Sequence, residues 1–362
     1  SAAGKIIRDF DRTFPLWLVG GIERATYLHI KGRILYHRGK FNEALDALSE
    51  SAEIAQGNDA LLFAAACNTA VNCFGDNLYY SAAGILADTA FAIREQFGDA
   101  QAMETQSLLG QLAFRQSYFH EAMRMLSLVE QDVRKRMSGS RELGRILNYR
   151  AKVLIANGDR DEANALLEQA ENLELEPKPK SFTRLYRLLW MTKWGDIGQA
   201  RNYYRQYFSA EEEVDLFCLG WASAFIADKL AVDFSIDSDQ QSLEEAQDAC
   251  RKSIQAFHKD NYFIEPILGA LLPFARVLSE SVEAEFRAVL SEERPFEKLR
   301  DYMDRHTDLQ EAYFACVFAE NPPEYNDTLE TFFLRVSSAF SETDVAARTA
   351  VIQRILETHH LY

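Results

Sequence analysis

The residues in this chain best able to do chemistry are seven histidines and five cysteines, and neither set has the spacing that chemistry demands. His29, His37, His120, His258, His306, His359 and His360 are scattered along the sequence. The adjacent pair His359-His360 diverges on a helix and makes no shared metal site. Cys67, Cys73, Cys218, Cys250 and Cys316 are odd in number, and each sits among apolar residues of helical spacing. That pattern predicts buried free thiols in a reducing compartment. There is no glycine-rich phosphate loop, no His-Glu-x-x-His zinc signature and no Gly-x-Ser-x-Gly elbow. The expectation is no catalytic residue, no metal and no cofactor.

One acidic stretch has the alternation of a calcium loop. Asp233, Ser235, Asp237, Asp239 and Glu244 hold the first, third, fifth, seventh and twelfth places of a twelve-residue segment between helical sequences. An EF-hand loop places oxygen ligands in that way, but it needs a turn glycine where this chain has Ser238. The alternative is an acidic connection followed by a helix starting near Ser242, whose spacing to Glu245 suits a capping box. Whether 233–244 binds calcium stays open at this level.

The elements that would position any site are announced by a recurring phrase: a turn residue, a bulky residue two on, and an alanine three later. It occurs at Gly39-Lys40-Phe41-Asn42-Glu43-Ala44, Asn77-Leu78-Tyr79-Tyr80-Ser81-Ala82, Ser117-Tyr118-Phe119-His120-Glu121-Ala122, Gly158-Asp159-Arg160-Asp161-Glu162-Ala163 and Gly195-Asp196-Ile197-Gly198-Gln199-Ala200. The five alanines are 38, 40, 41 and 37 residues apart. A period in this range marks repeated helical pairs, because one pair cannot bury its apolar stripe alone. Upstream of the first four phrases lies a small residue where two helix axes must approach, namely Gly32, Ala70, Gly110 and Ala151.

These residues resemble the tetratricopeptide repeat family from about residue 25 to 208, with a period longer than the family's usual ~34 residues. The phrase departs from the family where Arg160 and Ile197 replace the aromatic residue. The resemblance implies an all-α, right-handed α-solenoid of antiparallel helix pairs. Its concave side, formed by the first helix of each pair, is where the family holds ligands. Carried over, that face comprises His29, Arg33, Tyr36 and His37, then Cys67, Val71 and Phe74, then Ser107, Gln111, Phe114 and Arg115, then Arg145, Asn148 and Lys152. Arginine and tyrosine are common at binding hot spots, and arginine pairs with carboxylates through two hydrogen bonds. The family's clamp for a C-terminal carboxylate is not matched by Arg33, Gln111 and Lys152.

Charge bounds the partner. The chain carries 39 Lys+Arg and 55 Asp+Glu, a net charge of −16. Residues 1–210 hold 26 basic and 25 acidic side chains, whereas 211–362 hold 13 and 30. The acidic C-terminal third disfavours nucleic acid and anionic membrane, since phosphate contacts need clustered cations. The run Trp17-Leu18-Val19-Gly20-Gly21-Ile22 is far shorter than the ~20 apolar residues of a spanning helix. The expected organisation is a lead-in over 1–24, five helix pairs over 25–208, an irregular sixth pair over 209–260, and degenerate repeats or a cap over 261–362. Pro177 and Pro179 mark a connection between pairs.

The expected function is that of a cytoplasmic, non-enzymatic scaffold or adaptor that takes a peptide or helix of a partner protein, acidic and partly hydrophobic, in its groove. Two alternatives stay open. Ser1 without a methionine suits a sensor or regulatory segment of a larger signalling or transcription protein, and a catalytic site could lie beyond residue 260. The oligomeric state is open.

Overall fold

A computed structural model describes residues 21–259, less 38–40, 77–79, 100, 137–139, 174, 176, 209–214 and 238–239, together with 273, 284, 288 and 305. Residues 1–20 of the lead-in expected over 1–24, and nearly all of the region after 260, lie outside the described residues, as do Gly39 and Cys316. Among the described residues every element is an α-helix: α1 Gly21–Tyr36, α2 Phe41–Ala55, α3 Ala60–Asp76, α4 Tyr80–Gln96, α5 Ala102–Arg115, α6 Phe119–Lys135, α7 Ser140–Asn157, α8 Arg160–Glu171, α9 Pro177–Trp194, α10 Ile197–Phe208, α11 Leu216–Asp237 and α12 Gln240–Lys259.

The chain forms two compact units, divided after Asp132 near the end of α6. In the first, α1 packs on α2, α2 on α3, α3 on α4 and α4 on α5, and the odd helices also meet directly, α1 with α3 and α3 with α5. In the second, α7 packs on α8 and α9, α9 on α8, α10 and α11, α10 on α11, and α11 on α12. Connections of a few residues between helices in contact make the pairs antiparallel. The fold is all-α, built of stacked helix pairs.

The repeated phrase sets where the even helices begin. α2, α4, α6, α8 and α10 start at Phe41, Tyr80, Phe119, Arg160 and Ile197. The fourth residue of each is an alanine with no exposed surface: Ala44, Ala83, Ala122, Ala163 and Ala200. This corrects the second repeat by one residue. Tyr79-Tyr80 and Ala82-Ala83 can be read in two registers, and the helix start selects Ala83, leaving Ala82 half-buried.

The small residues have a mate one turn further along the even helix. A Cβ added to Gly32 would lie 2.6 Å from Cγ of Leu48, and one added to Gly110 would lie 3.0 Å from Cγ of Leu126. Leucine fills the space that glycine vacates. Counting back from Ala83, the second pair has Val71 rather than Ala70 at that place, with Ala87 in register opposite, both buried. Bulk has moved from one helix to the other while the pair keeps its volume, the kind of exchange that packed cores tolerate.

Helix ends follow the same repeat. At the end of α7, Gly158 adopts φ 94°; its amide and that of Asp159 donate to the carbonyls of Ile155 and Leu154, at 3.3 and 2.9 Å. That is a Schellman stop. The end of α5 repeats it with Ser117 at φ 62°, and Tyr118 N–H donates to Ala113 at 2.8 Å.

Three local expectations are overturned. Asp233, Ser235 and Asp237 lie in the last turns of α11, and α12 starts at Gln240. A helix cannot wrap a cation, so the calcium-loop reading of 233–244 falls. Ser242 and Glu245 form no capping box, since both lie inside α12; Ser242 Oγ accepts from Arg201, and Glu245 pairs with Arg201 and Arg205. Pro177 begins α9 rather than lying in a connection, because proline's missing N–H costs nothing in the first turn.

Candidate binding faces on the odd-numbered helices

Relative to Gly32, Val71, Gly110 and Ala151, the residues three before are His29, Asn68, Ser107 and Asn148, and the residues one after are Arg33, Asn72, Gln111 and Lys152. The two rows are one helical turn apart and share a face. They do different things.

Three members of the earlier row tie an odd helix to the next, while Ser107 Oγ is buried with no hydrogen-bond partner among the described residues. Asn68 Nδ2 donates to Thr105 Oγ1 at 2.8 Å, linking α3 to α5. Asn148 Nδ2 donates to Thr183 Oγ1 at 2.9 Å, linking α7 to α9. His29 Nε2 lies 3.1 Å from Thr69 Oγ1, linking α1 to α3. Asn148 is 2% exposed and Ser107 1%, so neither lines an open groove. Burial, with the charge of Arg33 second, lowers the pKa of His29.

The later row is open. Arg33 is exposed, and Asn72, Gln111 and Lys152 are half-buried. Asn72 and Gln111 each hold their own helix, donating to the carbonyls of Asn68 at 3.2 Å and Ser107 at 3.3 Å. Lys152 Nζ stands 5.8 Å from the centre of the Tyr186 ring. Arg145, two turns before Lys152, is half-buried, and its Nε is buried without a hydrogen bond.

The remaining predicted groove residues are placed otherwise. Tyr36 packs against Ala44, Leu48, Ala70 and Cys73, and its ring is 5.0 Å from that of the exposed His37. Phe114 meets Phe119 across the α5–α6 turn at 5.9 Å. Arg115 reaches back over the end of α3, its Nη1 3.2 Å from where a Cβ of Gly75 would stand. Cations are favoured there because helix C-termini carry partial negative charge. In the second unit Lys193 does the same, donating from Nζ to the carbonyl of Ile155 at 2.5 Å, with its pKa lowered chiefly by burial. Cys67 and Val71 are 3% and 1% exposed and Phe74 packs into the core, so none of the three lines a groove. Burial raises the Cys67 thiol to about 11, which leaves it unreactive.

Within the second unit the polar face stops at α7. The matching residues of α9, Leu185 and Leu189, are 1% and 2% exposed, because α11 packs on α9 and brings Phe217 within 5.9 Å of Phe182. Among the described residues no three His, Cys, Asp or Glu side chains converge to hold a metal, and no helix is long and apolar enough to cross a membrane.

The sequence matches no protein-family model and no curated protein. Among solved structures the fold is similar to that of a Rap protein complexed with competence and sporulation factor. The alignment covers 95% of this chain and 81% of the other, at 10% identity and a TM-score of 0.47. At that distance nothing about function passes from one chain to the other.

Proposed function

We propose that this chain is a non-enzymatic interaction module, and that the open faces of its odd-numbered helices dock an extended or helical segment of a partner protein. The observation that carries the reading is the row Arg33, Asn72 and Gln111, presented at 39-residue intervals on three helices that pack in sequence. A row at that interval offers one polar group per pair, in register with the scaffold. Such groups can hydrogen-bond backbone amides and carbonyls as well as side chains.

The partner segment is acidic and partly hydrophobic. Arg33 in the first unit and Arg145 with Lys152 in the second are the cations of these faces. With Tyr36 and Phe114 largely engaged in helix packing, affinity falls to polar contacts, worth roughly 0–1 kcal/mol for each exposed charge. A modest affinity with strong salt dependence is the consequence.

Selection of a random peptide library on the intact protein tests this. Enriched sequences should be rich in Asp and Glu, and Arg33→Glu should remove a distinct set of them. Enrichment of neutral or basic peptides, or an unchanged set of enriched peptides on the Arg33→Glu protein, contradicts it.

A further inference from the structure

Residues 177–208, which make up α9, α10 and the turn between them, carry seven Lys/Arg and a single acidic residue, Asp196. In a chain of net charge −16 this stretch is a cationic island. Most of its cations are committed within the second unit. Arg187 grips both carboxylate oxygens of Glu171, at 2.8 and 2.9 Å, and Asn164 besides. Arg201 and Arg205 share Glu245. Lys193 caps α7.

Arg184 and Lys180 are not committed. Among the described residues Arg184 makes no ion pair; its guanidinium carbon stands over the ring of Tyr207, 4.4 Å from the centre. Tyr207 is itself 4.7 Å from Tyr203. The two phenol rings are tilted at 58° to each other, so the guanidinium rests on the Tyr207 ring alone. Lys180, one turn before Arg184 on α9, is exposed. A guanidinium held over a ring keeps N–H groups for ligands, and its edge matches a carboxylate with two parallel hydrogen bonds. The ring contact also restricts the side chain beforehand, which reduces the ordering cost of binding. Burial, with Glu171 next, raises the pKa of Tyr203, so its phenol stays a neutral donor beside the arginine.

We infer that Lys180, Arg184 and Tyr207 form a second docking surface, on α9 and α10, for a carboxylate-rich segment of a partner protein. It is separate from the open faces of the odd helices and does not depend on them. Two uncommitted cations among the described side chains suit a short acidic segment. They do not suit a nucleic acid, which needs a longer run of phosphate contacts and would be repelled by the net charge. That same charge makes diffuse attraction of any polyanion unfavourable, so binding of one reports a local site.

The test uses the intact protein and a fluorescein-labelled hexaglutamate peptide, followed by anisotropy at low ionic strength. The wild type should bind. Arg184→Ala should weaken binding about tenfold and Arg184→Lys by less, since lysine keeps the charge but not the paired edge. Arg33→Ala and Arg145→Ala should leave the component of binding that Arg184→Ala removes unchanged, which separates this surface from the proposed open faces. Arg184→Ala is expected to fold, because no ion pair is broken, and an unchanged thermal melt checks it. The inference is overturned if hexaglutamate does not bind, if Arg184→Ala binds as well as wild type, if Arg184→Ala has no further effect in the Arg33→Ala background, or if a single-stranded oligonucleotide competes for the site.

Discussion

Asn68 reaches from α3 to donate a 2.8 Å hydrogen bond to Thr105 of α5, and Asn148 makes the same bond to Thr183 of α9 at 2.9 Å. In both, the asparagine stands three residues before the close-contact position of its helix, and the threonine five before that of the next. A polar pair at a fixed offset fixes how one odd helix sits beside its neighbour, because any slide leaves buried donors and acceptors unmatched. All four side chains are buried.

Removing one partner should therefore cost more than the bond itself is worth. Asn68→Ala and Asn148→Ala should each destabilise the protein by about 1–3 kcal/mol, and the double variant Asn68→Ala/Thr105→Val by less than the sum of its singles. Urea unfolding of the four proteins of one cycle measures this. Strict additivity contradicts the link.

The glycine–leucine mates give a second prediction. Gly32→Ala should destabilise by about 1–3 kcal/mol through overpacking, since the new Cβ would stand 2.6 Å from Leu48. Gly32→Val combined with Leu48→Ala copies the Val71/Ala87 arrangement of the second pair and should melt above Gly32→Val alone. A double variant less stable than both singles shows that the two positions do not share one space.

Stability should also depend on pH through His29. Its pKa is lowered in the fold, by burial first and then by Arg33, against a smaller raising contribution from the carbonyl of Ala65, with Arg94 lowering it further. A histidine lowered on folding binds fewer protons than in the unfolded chain, so stability rises with pH across the window between the two values. His29 therefore contributes fully above the unfolded value of about 6.5 and progressively less as pH falls through the lower folded one. His29→Gln should flatten the part of the stability curve just below that pH, and an identical curve for the variant assigns the dependence elsewhere.

Ser117 carries a strained conformation, at φ 62°, in the turn place that glycine holds at Gly158. Ser117→Gly relieves about 1 kcal/mol of left-handed strain against a gain of roughly 0.5–1 kcal/mol in unfolded-chain entropy. The variant should match or slightly exceed wild type in a thermal melt, whereas Gly158→Ala should fall below it.

Much of this was legible in the residues. The bulky-residue and alanine phrase placed the even helices because a helix start and a buried contact recur together, and it slipped only at Tyr79-Tyr80 and Ala82-Ala83, where neighbours are chemically alike. The polar row His29, Asn68, Ser107 and Asn148 was visible as a spacing of 39, 39 and 41 residues. Its role was not, since the partner threonines lie on the next odd helix and their offset depends on how helices stack. For the same reason Arg115 and Phe114 read as groove residues, although one lies over the end of α3 and the other packs against Phe119. The burial of Leu185 and Leu189 by α11 follows from a contact between elements that no local pattern reports.

The most direct test of the central claim, that the open row of the odd helices is a binding face, is the affinity of the best peptide from the library selection for four proteins: wild type, Arg33→Ala, Gln111→Ala and Arg184→Ala. The account predicts a loss of about tenfold for Arg33→Ala, in the range of a charge-assisted hydrogen bond, a smaller loss for Gln111→Ala, and no change for Arg184→Ala. Equal affinity for wild type, Arg33→Ala and Gln111→Ala would contradict it.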